Sequence, residues 1–319
     1  MRATSTVLLA VLAALLPAAP ARSAELGLNI NGAAAGGANY QNFEDLSELR
    51  SGWARHFLHW DDFDYQQGWG GYQQMIAEEE RRGVKTLIAV KAAGNQPPAD
   101  PQAFADRMAQ IARTLKGVDA LQVWSEADEP LFWAGAPQPA AYVDLLKRSY
   151  AAVKGVSDAL VVFSATVGNN FGFVQAAYEA GAKGHFDVMA VHTDTACLVQ
   201  PPSFYYREQD GRIGRFAFLG HRGVHDVMQA NGDGHKPIWM TEFGWSAAEH
   251  VCEFGAGAGQ RPAGVGEERQ ARYLLEAMNC LERDPYVTVA MWFNNRDLSG
   301  DGKMQNTYGL RRHDGSPRP

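Results

Sequence analysis

Residues Val84–Trp124 read VKTLIAVKAAGNQPPADPQAFADRMAQIARTLKGVDALQVW, and the alternation inside this stretch sets the architecture. Val84–Val90 is an apolar run of strand length. Phe104, Met108, Ile111, Ala112 and Leu115 then recur on one helical face. Ala120–Trp124 is a second apolar run. The same unit repeats on both sides. Further strands are expected at Leu26–Asn31, Trp53–Phe57, Leu160–Ala165, Phe186–His192, Pro237–Glu242 and Val287–Phe293. Helical faces fall between them, Tyr142, Leu145, Leu146, Tyr150 and Val153 on one and Leu274, Ala277, Met278 and Leu281 on another. Gly83 stands where the helix after the second strand should stop. Eight strands alternating with helices predict a single α/β domain, a (β/α)8 barrel over residues 25–319. An open doubly wound sheet would want a glycine-rich phosphate turn after strand one. Gly32, Gly36 and Gly37 do not fit that pattern. After the eighth strand only 26 residues remain, rich in turn signals, so the eighth helix is expected to be missing. The uncovered flank is then bare, covered by a loop, or open to self-association.

Composition narrows the function. The chain has 319 residues, 46% hydrophobic and 20% charged, with a net charge of −7. That is enough apolar material for a sizeable core and excludes wholesale disorder. The acidic balance argues against nucleic acid or an anionic membrane as partner. Residues 1–24 read as a signal peptide: Arg2, then the apolar run Val7–Leu16, then small residues. The run is too short to span a bilayer. The mature protein is therefore expected to be secreted or periplasmic, where disulfides form. Cys197 and Cys252 fall in the loops after neighbouring strands six and seven, so a bridge between them is favoured. With Cys280 counted, three pairings are possible and the others remain open.

Two glutamates end two of the strands. Glu126 follows LQVWS and Glu242 follows PIWMT. Either alone is as readily a salt-bridged or solvated acid. Together, delivered by strands four and seven to the barrel mouth, they suit glycoside hydrolysis: one protonates the leaving oxygen, the other attacks the sugar or activates water. Aromatic residues after the strands, Trp60, Trp69, Trp133, Trp245, Tyr205 and Tyr206, offer rings for the apolar faces of sugars. Their number favours a cleft for several sugars. Trp53, Trp124 and Trp239, inside strands, read as core. Arg207, Arg212 and Arg215 cluster in the sixth loop, either solvated or facing an acidic sugar.

VWSEADEPLFW (Val123–Trp133) resembles the acid/base segment of clan A glycoside hydrolases. HKPIWMTEFGWS (His235–Ser246) is similar to their nucleophile strand, and HFDVMAVH (His185–His192) to their sixth strand. MWFNNRD (Met291–Asp297) and YGLRRHDGSPRP (Tyr308–Pro319) are similar to the eighth strand and closing segment. Together they look most like family 39 and its small secreted bacterial relatives. The resemblance implies Glu126 as general acid/base, Glu242 as nucleophile, Arg55 beside Glu242, His192 on the wall and Trp292 as the floor under the sugar. A guanidinium at Glu242 favours its anion, and the opposing charge favours a protonated Glu126. Glu129 is a backup for Glu126. Ser125 stands where the family has an asparagine that holds the sugar. Thr193-Asp194 replaces a Pro-Tyr pair, and Asp194 is either a third carboxylate near the pair or a loop cap.

The expected activity is a retaining hydrolase of β-linked poly- or oligosaccharides, with no cofactor and no metal. A metal hydrolase would need a ligand set. His56 and His59 are close and His192 with Asp194 adds further ligands, but no H-x-H on the first strand and no H-E-x-x-H occurs, and residues three apart on a strand turn to opposite faces. No G-x-S-x-G elbow occurs. A non-catalytic carbohydrate-binding barrel is the alternative, favoured by Ser125, Thr193-Asp194 and the short C-terminus. An assembly protein using the bare flank is a third.

Overall fold

The computed structural model describes residues 23–30, 40–61, 65–193, 197, 199–253, 259 and 262–319. All but the last two residues of the expected signal peptide, and Asp194, lie outside these. Eight parallel strands form the wall: β1 (Glu25–Asn29), β2 (Trp53–His59), β3 (Lys85–Lys91), β4 (Ala120–Val123), β5 (Leu160–Val162), β6 (Met189–His192), β7 (Ile238–Phe243) and β8 (Val287–Trp292). Hydrogen bonding runs β5-β4-β3-β2-β1-β8-β7-β6. Parallel bridges Val162↔Val188 and Thr166↔Val191 bring the two ends of that order together, so the expected barrel is borne out.

Helices α1 (Tyr40–Glu48), α2 (Tyr65–Arg81), α3 (Pro101–Thr114), α4 (Pro130–Trp133), α5 (Pro139–Lys154), α6 (Phe171–Glu179), α7 (His221–Ala230) and α8 (Glu267–Leu281) surround it. Local chemistry sets their ends. Asp100 caps α3 by accepting from the Gln102 amide, ahead of Pro101. Gly83, beyond α2, takes φ 72°, the conformation that lets glycine end a helix.

The strand period of two sorts side chains into two cores. Trp53, Leu87, Ala120, Val162, Val188, Trp239, Val289 and Met291 face inward and fill the barrel. The rings of Trp53 and Trp239 meet at 4.5 Å. Ala54, Leu58, Ile88, Val90, Leu121 and Met240 face outward against the helices.

Past β8 the described chain forms one 3-10 turn, Met304–Asn306, and no α-helix. Arginines fasten this segment instead. Arg296 reaches Asp45 of α1 at 2.6 Å and Arg311 pairs with Glu48. Arg312 and Arg318 hold Glu267, the first residue of α8. A loop, rather than a helix, therefore ties together the two helices beside the gap.

Cys197 and Cys252 form a disulfide with Cα atoms 5.7 Å apart. It nucleates a small subcore with Ala248, Ala263, Met304 and Tyr308 on the mouth side. The bridged residues are 55 apart in sequence. Closing a loop of that length in the unfolded chain is worth about 4 kcal/mol in the chain-entropy account. Thermal melts with and without reductant should show a drop of several degrees on reduction, reproduced in a C197A/C252A variant.

Candidate active site

The mouth is built from polar residues set at inward positions of otherwise apolar strands. Arg55 lies two residues above Trp53 on β2 and is 1% exposed. Its guanidinium is fully engaged. One nitrogen donates to Glu242 Oε1 at 2.5 Å and to Asn29 Oδ1 at 2.7 Å. The others donate to Gln122 Oε1 at 3.1 Å and Ser125 Oγ at 3.2 Å. Asn29 in turn donates to the Thr241 carbonyl at 2.8 Å, which fixes the strand that carries Glu242. Replacing Arg55 by methionine would leave a buried carboxylate without its countercharge. Such losses cost about 3–5 kcal/mol. A lowered melting temperature together with lost activity in R55M checks this; an unchanged melt would show that the pair carries no structural weight.

Glu126 arrives by a different device. β4 ends at Val123, and Trp124 and Glu126 both take left-handed backbone, φ 70° and 57°. Non-glycine residues held there store strain, which clusters at working sites. The Glu126 amide donates to the Ala165 carbonyl at 3.0 Å, anchoring the turn. Burial raises the Glu126 pKa to about 7, against the opposing pull of Arg55 and Lys91.

His192, fully buried at the end of β6, lies between the two acids. Nδ1 is 2.7 Å from Glu126 Oε1, and Nε2 is 3.1 Å from Thr241 Oγ1 and 3.4 Å from Glu242 Oε1. Burial lowers its pKa to about 4, so the ring is neutral at working pH and has one N–H. When Glu126 is protonated it donates to Nδ1, and Nε2–H faces Thr241 and Glu242. When Glu126 is ionised, Nδ1–H donates to it and Nε2 accepts from the threonine hydroxyl. Either state of the acid is satisfied without charging the imidazole. One oxygen of Glu126, one of Glu242 and a ring nitrogen of His192 all lie within 4.8 Å of one another.

Those three donors would also suit a cation by type. The surrounding charge does not. Arg55 already occupies Glu242 Oε1, and Lys91 adds a second positive charge to the mouth. His56, weighed above as a metal ligand and set aside, points the other way, into the helix layer, 2.7 Å from Glu79 of α2.

Several aromatic assignments change. Trp292 is 0% exposed, packs edge-on to Phe243 at 5.2 Å and donates to the Tyr308 carbonyl, so it is no floor for a sugar. Val289 and Met291 face inward, so the outward side falls to Trp292 and the inward side to Phe293, which is half-buried at the rim. Trp133 is core, wedged between Trp124 and Tyr142 at 5.3 and 6.3 Å. Trp245 is 5% exposed and packs on Phe218, Tyr273 and Trp292. Only its edge reaches a small pocket with Phe204, Tyr206, Phe216 and Thr193. Trp69 sits in α2, not after a strand. Trp60 is half-buried against Phe104. Tyr205 and Tyr206 are exposed.

Ser125 is 5% exposed and bonded to Arg55. Glu129 is the residue before α4. Arg215, from the sixth-loop cluster, is not simply solvated: it donates to the Val167 carbonyl at 2.6 Å and stands 3.7 Å from buried Asp128. Asn29, Lys91, Gln122 and Thr241 were not expected from the sequence. A polar residue at an inward strand position is the signal that marks the first three.

No protein-family model matches the chain, and no curated protein is similar to it in sequence. Solved structures do match. A monomeric β-xylosidase from Caulobacter crescentus superposes with TM-score 0.64 at 17% identity, covering 93% of this chain and 66% of that one. A glycoside hydrolase family 39 enzyme from Xanthomonas axonopodis pv. citri gives 0.64 at 16%, covering 94% and 64%. Fungal β-1,4-galactanases give 0.67 at 13%, covering 93% and 97%. The chain thus spans about two thirds of the first two enzymes and nearly all of the third. The expected likeness to clan A glycoside hydrolases, family 39 among them, is borne out at the level of the fold.

Proposed function

We propose that this chain is an exported retaining hydrolase of β-linked glycans, with Glu242 as nucleophile and Glu126 as acid/base. The observation that carries the reading is the approach of the two carboxylates, one oxygen of each within 4.8 Å of the other. Retaining enzymes hold the pair about 5–5.5 Å apart, and inverting ones about 6.5–9.5 Å apart to admit a water. Burial and charge divide the labour. Glu242 has the Arg55 countercharge that suits an anion, while Glu126 is pushed toward the neutral acid.

The reaction runs in two displacements. Glu242 attacks the anomeric carbon as Glu126 gives its proton to the departing glycosidic oxygen, leaving a glycosyl ester on Glu242. Glu126, now a carboxylate, takes a proton from water, which attacks the same carbon and frees Glu242. Once its proton has gone to the leaving oxygen, Glu126 is a carboxylate that can accept from His192 Nδ1–H. Phe293, Trp60, Tyr205 and Tyr206 are the rings available to the sugar faces.

Support for the substrate class comes from the solved neighbours, whose described activities are on β-xylosides and β-1,4-galactan. Support for export comes from the leader-like residues 1–24 and the disulfide, which persists outside the reducing cytosol. Among the described residues no helix is long and apolar enough to cross a membrane. Incubation with a panel of β-glycans, assayed for new reducing ends, tests the activity. Binding without cleavage would instead identify a carbohydrate-binding barrel.

A further inference from the structure

Lys91 ends β3, and the alternation that turns Leu87 inward turns Lys91 into the mouth as well. It is half-buried. Its ammonium donates to Asn95 Oδ1 at 2.8 Å and lies 5.6 Å from the ring centre of Phe57 and 5.4 Å from that of Phe132. Asn95 is itself held, donating to the Leu131 carbonyl at 3.2 Å, so its oxygen stays turned to the lysine. Among the described residues no carboxylate forms an ion pair with Lys91. Arg55 already serves Glu242, and His192 already serves Glu126.

Among the described residues only Asn95 accepts a hydrogen bond from the ammonium, which leaves its other donors open to a ligand. A cation drawn partly out of water, between apolar rings and without a paired anion, costs free energy unless a ligand supplies the acceptor. Burial lowers its pKa, while the charges of Glu242 and Glu126 hold it up. An anion would return more of that cost than a neutral hydroxyl. An ammonium meets a carboxylate as a point charge, so the pairing asks no fixed geometry of the sugar.

We infer that Lys91 is a specificity-determining residue that binds the carboxylate of a uronic acid, so that the glycan cleaved is an acidic one. This rests on the hydrolase reading above and names its substrate class.

Polymannuronate, hyaluronan and glucuronoxylan, each beside its carboxyl-reduced form, test it with wild type, K91M and K91R. New reducing ends give kcat/KM, and calorimetry gives affinity. The expected result is a preference for at least one acidic polymer over its reduced form by about tenfold or more, the worth of one charge-assisted hydrogen bond. That ratio should collapse in K91M and return in K91R. Equal rates on both forms, or a preference that survives in K91M, overturns the assignment. A lysine that merely supports the fold would slow both forms alike and leave the ratio unchanged, which also overturns it. Cleavage of neutral glycans alone refutes the acidic substrate and leaves the hydrolase intact. No cleavage of any glycan, acidic or neutral, refutes the hydrolase itself.

Discussion

Replacing Glu242 by glutamine is expected to abolish turnover, lowering kcat on the order of ten-thousand-fold or more. The amide keeps the volume and one hydrogen-bond acceptor for Arg55, so the fold should persist and the melt should move little. What disappears is the nucleophile. Without it no glycosyl ester forms, and nothing else among the described residues stands at the same point of the mouth with a carboxylate held by a guanidinium. A smaller residue makes the role visible. In E242G the space left by the carboxylate admits a small anion, so added azide should restore cleavage of an activated aryl glycoside. Its product should be a glycosyl azide of inverted configuration, because the azide attacks from the Glu242 side and no second displacement follows. Rescue with retained configuration would assign Glu242 the acid's role instead.

The second large effect falls on Glu126. E126Q removes the proton donor and should cost about 100- to 10,000-fold on substrates with poor leaving groups. On a dinitrophenyl glycoside, whose leaving group needs no proton, the first displacement should be nearly spared. The enzyme should then stall as the glycosyl ester, visible as a burst followed by a slow phase. The pH profile carries the same information. Burial raises the Glu126 pKa to about 7, so the acid is protonated below that pH and lost above it. Wild-type kcat/KM should fall as pH rises through about 7, and that limb should be missing in E126Q. If the limb persisted in the variant, another group would be the acid.

The barrel was legible because its cause is periodic. Apolar runs and helical faces alternate, and every expected strand exists, with ends moved by a residue or a few. Phe186–His192 shows the limit: strand six is shorter than its apolar run, starting at Met189, because the residues before it serve the turn from α6. That the two glutamates meet was legible because two acids closing two strands of one barrel are both delivered to its mouth. The aromatic floor was not, and the reason is parity. Trp292 was chosen as the large ring near the strand end, yet Val289 and Met291 already fixed which positions face inward, and those point to Phe293. Trp133 failed for another reason. The short helix α4 folds it back onto Trp124, a tertiary contact that local pattern does not contain. Asn29 and Gln122 lie inside expected strands and Lys91 just past one, and their convergence on Arg55 and the mouth follows only from the closed barrel. The missing eighth helix was expected. The arginine ladder from Arg296 to Arg318 that takes its place depends on contacts between the two ends of the chain.

In the proposed reaction Glu126 and Glu242 meet at one anomeric carbon in opposite roles. An aryl 2-deoxy-2-fluoro-β-glycoside of the sugar turned over fastest measures this directly, since fluorine slows both displacements while the activated aryl leaving group restores only the first, so the glycosyl enzyme accumulates. Peptide mapping by mass spectrometry should find one sugar per chain, esterified to Glu242. A label on Glu126 or Glu129, or turnover that yields the inverted anomer with no labelled enzyme, would contradict the account.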